Sequence, residues 1–159
     1  MADMTEDEDR MTRPVRRTVS DAFVAGAFAA VVSGVPSSVW ALATGRSLTE
    51  GALAAGSLVL PREQRPAVLV AAAVPVHLML SLGWAFVMTA TLPSRRTLGW
   101  ATLAGLGIAA LDLGVIGRRL PRIRALPLRP QVADHLAYGA TVAIVLDIRR
   151  RRALLSSRA

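Results

Sequence analysis

Four long stretches of the chain are dominated by apolar residues, and polar or arginine-rich segments separate them. The longest uncharged run reaches from Pro66 to Ser94. A helix needs about 20 apolar residues to cross the hydrocarbon core of a bilayer, so a run of this length is typical of a transmembrane helix. The whole pattern predicts an all-α fold, a four-transmembrane-helix bundle, with spans over 19–45, 66–92, 97–117 and 131–148.

The segments outside these spans predict less structure. The run from Gly51 to Leu60 is apolar, but ten residues rise only about 15 Å as a helix, which is too short to span. It predicts a short interfacial or re-entrant helix between the first and second spans. Residues 1–18 form a polar tail without apolar periodicity, which predicts disorder, and residues 149–159 read as a basic C-terminal tail.

The first span has a competing interpretation as a cleaved signal peptide. Arg16 and Arg17 precede its apolar core, and Ala41-Leu42-Ala43 resembles a cleavage site. The acidic start of the chain and the length of the apolar run favour a retained helix instead. Pro36 lacks a backbone N–H and is expected to kink that helix.

Composition supports a membrane protein. Hydrophobic residues make up 53% of the chain, and the charged residues are segregated into short segments beside the apolar runs. The net charge of +8 raises the question of nucleic-acid binding. However, the positive-inside rule and lipid phosphates account for arginines in those places, so the lipid bilayer, and no nucleic acid, is the expected partner. The chain has no cysteine, which excludes disulfides and thiolate metal sites.

The distribution of arginine predicts the orientation. With four spans both termini lie on one side, and eleven arginines fall on that side against eight on the other. Cytoplasmic loops carry the excess of Lys and Arg. The sequence therefore predicts a multi-pass protein of the cell membrane with its termini in the cytoplasm.

The candidate site residues are His77, Asp112, His135 and Ser37. Ionisable groups inside a membrane are costly and mark sites by default. Counted along the helices, Asp112 and His135 lie about 8 Å and about 6 Å below the same membrane face, and His77 lies deeper. Asp112 and His135 are therefore expected within hydrogen-bond reach of each other or of one shared water, whereas the neighbouring Asp134 should point elsewhere.

These polar residues share helix faces with small residues, which pack inward in membranes, so they predict a polar pocket inside the bundle. Such a pocket would relay protons, ligate a metal or haem, or hold a small polar ligand. The alternative is structural: Asp112 and His135 satisfy each other, and His77 bonds a serine or a carbonyl freed by Pro75. Two histidines are few for a zinc site. Two axial haem ligands would need equal depth, which His77 and His135 lack. No metal or cofactor is therefore assigned.

A family resemblance rests on residues 134–139, Asp-His-Leu-Ala-Tyr-Gly, and on Gly26, Gly34 and Pro36 in the first span. Together they resemble the uncharacterised small bacterial membrane proteins of the YagU type, which have a His-Leu-x-Tyr-Gly stretch in the last helix. The resemblance implies four helices in the inner membrane. It implies no established activity and therefore adds no catalytic residue.

The function expected from the sequence is that of a non-enzymatic integral membrane protein that binds a partner or a small ligand in its polar intramembrane pocket. A small transporter or proton-coupled subunit is the alternative, with a homo-oligomer or a membrane protein partner, because four helices leave little room for a pore. A haem- or metal-binding protein or a membrane enzyme ranks third. No nucleophile–base pair, carboxylate pair or glycine-rich phosphate loop supports catalysis.

Overall fold

The computed structural model describes residues 18–156, and within that part of the chain every regular element is a helix. The all-α prediction is confirmed. The predicted disorder of the N-terminal tail concerns residues that, apart from Thr18, lie outside the described part. Thr18 already belongs to the first helix.

Seven α-helices follow one another in residues 18–156. They are α1 (18–32), α2 (Val35–Thr44), α3 (Glu50–Gly56), α4 (Pro66–Thr91), α5 (Thr97–Leu111), α6 (Pro121–Arg124) and α7 (Leu128–Ser156). A π-helical segment, Asp112–Ile116, and a 3₁₀ turn, Gly117–Arg119, continue α5.

In the described part of the chain three helical stretches are long and apolar enough to cross a membrane: Thr18–Thr44, Pro66–Thr91 and Thr97–Arg119. Within their most apolar windows only 28%, 22% and 22% of residues are buried inside the protein, so the greater part of this apolar surface faces outward. A water-soluble fold would bury such surface. The chain is therefore compatible with an integral membrane protein.

The first span is interrupted instead of simply kinked. Helical geometry stops at Ser33 and Gly34 and resumes at Val35, and Pro36 lies in the first turn of the new helix. Proline has no N–H to donate, but it fits the first turn of a helix, where that donor has no helical partner. The proline therefore marks the start of a second helix, α2, rather than a bend in one helix.

The core is built from four helices. Buried residues of α1, α4, α5 and α7 form one cluster in which alanine is the most frequent residue: Ala25, Ala29, Ala85, Met88, Ala101, Ile108, Tyr138, Val142, Ala143 and Leu146. A Cβ atom added to Gly105 would overlap the carbonyl O of His135, and one added to Gly139 would overlap that of Ala101. The backbones of α5 and α7 are therefore in direct contact at two places, as small residues allow in membranes.

The last helix is longer than predicted. It begins at Leu128, not at 131, and it continues to Ser156, so residues 149–156 are helical rather than a tail. Arginine is a good helix former. Two of these arginines are also held by the rest of the fold: Arg149 pairs with Asp21 at the start of α1, and Arg150 donates to Thr97 Oγ1 at 3.1 Å. These contacts place the end of α7 beside the starts of α1 and α5.

The short helix predicted after the first span is present as α3. It packs on the first part of α4, where Gly56 lies against the backbone of Leu69 too closely for any side chain. Its interfacial or re-entrant placement stays a prediction. We call the end of the molecule that carries α3, α6 and the π-helical segment the α3 end, and the opposite end the terminal end.

Candidate functional site: a polar layer at the interrupted helix

Asp112 and His135 are in contact, as the sequence predicts. His135 Nε2 lies 3.3 Å from Asp112 Oδ2, and both side chains are partly buried. Asp112 is the first residue of the π-helical segment, a type of irregularity that is frequent at functional sites. Gly105 has no side chain, so the backbone of His135 in α7 lies directly against α5. This close approach brings the His135 side chain near Asp112.

The hydrogen bonds of His135 place a proton between the two side chains. Its Nδ1 lies 2.7 Å from the carbonyl O of Gln131. A carbonyl only accepts, so Nδ1 carries a hydrogen. Nε2 and the Asp112 carboxylate would then be two acceptors face to face, unless one further proton is present. The pair therefore holds one proton, either as imidazolium and carboxylate or as neutral imidazole and carboxylic acid.

Asp134 points away from this pair and binds the interrupted helix. Its Oδ1 accepts the backbone N–H of Ser37 at 2.8 Å. Ser37 is the third residue of α2, and the N–H groups of a first turn have no helical partner. A carboxylate there satisfies one of them and complements the positive end of the helix dipole. Asp134 thus acts as a capping side chain supplied by a different helix.

His77 binds the other side of the same interruption. Its Nε2 lies 2.8 Å from the carbonyl O of Ala30, in the last turn of α1. Because that carbonyl accepts, Nε2 is the donor. The sequence-based alternative of a histidine bonded to a backbone carbonyl is therefore realised. The carbonyl belongs to α1, however, and not to the turn of α4 that Pro75 opens.

His77 is exposed and is not enclosed by the bundle, in contrast to the inward orientation predicted for it. It lies at a change of partners along α4. Before it, Leu69 contacts Gly56 of α3; after it, Leu82 and Ala85 contact Gly26 of α1. The small-residue face predicted around it is nonetheless buried at Ala73, Ser81 and Ala85. The exposed imidazole therefore lies between the part of α4 that packs on α3 and the part that packs on α1.

A shallow cleft adjoins this layer at the α3 end. It has a volume of about 50 Å³, and its lining includes Ser37, Ser38, Arg46, Glu50 and Gln131. Pockets for drug-sized ligands measure about 300–1,000 Å³. A cleft of this size suits water or an ion-sized group, and it is lined by none of the histidines.

The four sequence-predicted site residues are thus distributed over three contacts, and Asp134 joins them. Asp112 pairs with His135, Ser37 with Asp134, and His77 with Ala30. Sequence analysis missed the role of Asp134. The available signal was that this carboxylate lies at the same depth as Pro36, which marks the start of a new helix with unpaired N–H groups. Among residues 18–156 no group of three His, Asp or Glu side chains is placed to hold a metal ion.

Comparison with protein-family models, curated proteins and solved structures gives no match.

Proposed function

We propose that the chain is a four-span integral membrane protein that binds a small polar ligand at the layer around the interrupted first span, with entry from the α3 end. The observation that carries this proposal is the exposure of His77 at the middle of a membrane-length helix. An imidazole at that depth is costly in lipid unless protein or water surrounds it.

The way α7 runs beside α5 supports the proposal of a fourth span. The two helices touch through Gly139 and Ala101, through Gly105 and His135, and through Arg150 and Thr97. The order of these contacts makes the pair antiparallel over nearly the whole of α5. Since the stretch Thr97–Arg119, which begins with α5, is long enough to cross the membrane, α7 would cross it as well, with Asp134 and His135 satisfied by hydrogen bonds rather than by water.

The ligand class follows from what lines the layer. Imidazole nitrogens, a carboxylate and a serine surround the break, and the adjoining cleft is small. Such groups favour a compact polar or cationic molecule over a large apolar one. We propose a non-enzymatic role in which these groups bind and orient the ligand.

Water access to His77 is the direct test. Because the chain has no native cysteine, an introduced cysteine is the only thiol that can be labelled. A His77→Cys variant in intact membranes is treated with a membrane-impermeant maleimide, which needs a hydrated thiolate to react. We expect rapid labelling from the α3 side. The matched control is Leu106→Cys on α5, at a similar distance from the α3 end and 47% exposed, which should face lipid and stay unlabelled.

A Ser37→Cys variant repeats the test without removing an imidazole. If neither thiol reacts faster than that of the Leu106→Cys variant, the polar layer is closed to water. The proposed entry from the α3 end is then wrong.

Proton coupling is the second candidate, and the proton held between Asp112 and His135 favours it. Interrupted membrane helices with charged partners at the break also occur in ion-coupled transporters. The three contacts of the polar layer nevertheless lie toward the α3 end, whereas the terminal end holds most of the alanine-rich cluster and the Asp21–Arg149 ion pair. A proton flux in liposomes that Asp112→Asn abolishes would favour this candidate over ligand binding.

The proposed cytoplasmic termini and the resemblance to the YagU type belong to the same proposal. Reporters fused after Arg96 test the orientation, because this loop lies at the terminal end. Activity of a cytoplasm-active reporter alone agrees with cytoplasmic termini. Activity of a periplasm-active reporter there would reverse the orientation and turn the polar layer toward the cytoplasm.

A further inference from the structure

Five arginines follow the π-helical segment within twelve residues: Arg118, Arg119, Arg122, Arg124 and Arg129. We call this set the basic platform. All but Arg122 are exposed. None of the five forms an ion pair with an acidic side chain in the described part of the chain, whereas Arg46 and Arg65 at the same end do. The platform therefore carries uncompensated positive charge.

The platform is held in place by apolar and polar contacts. Ile123 packs on Gly117 so closely that a Cβ atom there would displace it. Arg122 donates to Gln64 Oε1 at 3.2 Å, which ties α6 to the loop before α4. Leu120 and Leu126 are half-buried between the arginines. The guanidinium groups thus project from an ordered segment and not from a loose tail.

The position of the platform selects its ligand. Arg118 and Arg119 are the last two residues of the membrane-length stretch Thr97–Arg119, and Arg129 is the second residue of α7, so the platform lies at the level of the lipid headgroups. Guanidinium groups bind phosphate with paired, charge-assisted hydrogen bonds. We propose that the basic platform is a binding site for the phosphate-bearing headgroups of anionic phospholipids in the leaflet at the α3 end.

The test measures lipid binding by the purified full-length chain in non-ionic detergent. Native mass spectrometry counts the phosphatidylglycerol and the phosphatidylcholine molecules retained during a titration with each lipid. We expect preferential retention of phosphatidylglycerol, weakened by salt. An Arg119→Gln, Arg124→Gln, Arg129→Gln variant changes three exposed side chains. It should bind phosphatidylglycerol at least about tenfold more weakly, because each arginine near the surface adds attraction to an anionic membrane.

The matched control removes the same charge at the terminal end, with Arg95→Gln, Arg151→Gln and Arg152→Gln, all exposed. It should retain phosphatidylglycerol like the unmodified chain. A second variant, Arg119→Lys, Arg124→Lys, Arg129→Lys, keeps the positive charge and should retain most of the binding. It shows whether charge is the cause if the glutamine variant folds poorly.

Three results would overturn the site. They are equal retention of the two lipids, equal loss in the platform variant and its control, and complete displacement of phosphatidylglycerol by inorganic phosphate. The last result would identify a site for free phosphate instead of lipid. None of these readouts depends on the polar layer, so the ligand-binding proposal stands or falls separately.

Discussion

The two ends of the molecule are built differently. Toward the terminal end, α1, α4, α5 and α7 are regular helices in contact through alanine and glycine, and Asp21 and Arg149 join the first helix to the last. Toward the α3 end, the first span breaks at Ser33 and Gly34, and α5 passes into a π-helical segment at Asp112. The three contacts of the polar layer, made by Asp112, Asp134 and His77, lie at or beside these irregularities. The comparison teaches that the polar contacts of the candidate site lie where the helices are irregular, whereas regular helices meet through small residues.

The largest expected effect comes from disturbing the close backbone contact between α5 and α7. Gly105→Ala would place a methyl group against the carbonyl of His135, whereas Gly107→Ala, two residues away on the same helix, meets open space. Forcing α5 and α7 apart should cost about 3 kcal/mol of unfolding free energy. Gly107→Ala should be neutral or slightly stabilising, since alanine is the better helix former. Thermal unfolding in detergent compares the two; similar losses would show that the contact is not tight.

The second largest loss of unfolding free energy is expected from disturbing the Asp112–His135 pair. Asp112→Leu leaves His135 Nε2 without a donor and should cost about 2 kcal/mol. Asp112→Asn keeps a donor, because its amide N–H₂ can bond the neutral imidazole, and should cost less than half of that. Unfolding of both variants in the same detergent measures the difference. If leucine is tolerated as well as asparagine, the hydrogen bond does not stabilise the fold.

Asp134 should contribute less, as a cap supplied from another helix. Asp134→Ala removes the acceptor for the Ser37 N–H and should cost about 1 kcal/mol. Asp147→Ala is the control on the same helix, because Asp147 forms only an exposed ion pair with Arg150, at 3.7 Å. The amide proton of Ser37 should exchange faster in the first variant and not in the second. Unchanged exchange in the Asp134→Ala variant would mean that the cap is not formed.

The smallest effect concerns the loop before α4. Hydrogen bonds from Arg65 lower the pKa of the Glu63 carboxyl to about 2. A lowered pKa adds stability that is present above the ordinary range of the group and is lost as the pH falls through the lowered value. The carboxyl ¹³C shift of Glu63 should therefore titrate near pH 2, and in Arg65→Gln it should return to the ordinary range. The melting temperature should hardly change, because the pair is exposed.

The all-α fold was predictable because its longest helices coincide with long apolar runs and small-residue faces. The Asp112–His135 contact followed from counting depth along two adjacent helices. The break at Ser33 was predicted only as a kink, because Pro36 marks where α2 starts but not where α1 stops. The full length of α7 was missed because Arg149 and Arg150 are stabilised by Asp21 and Thr97, residues far away in the sequence.

The contact between α5 and α7 also bears on how the chain enters the membrane during synthesis. Between His135 and Asp147 the last helix offers only eleven uncharged residues, about 16 Å, which is too short to be inserted on its own. In the proposed four-span arrangement α7 would therefore enter as the second arm of a hairpin with α5. The contact between Gly139 and Ala101 would join the two arms of this hairpin.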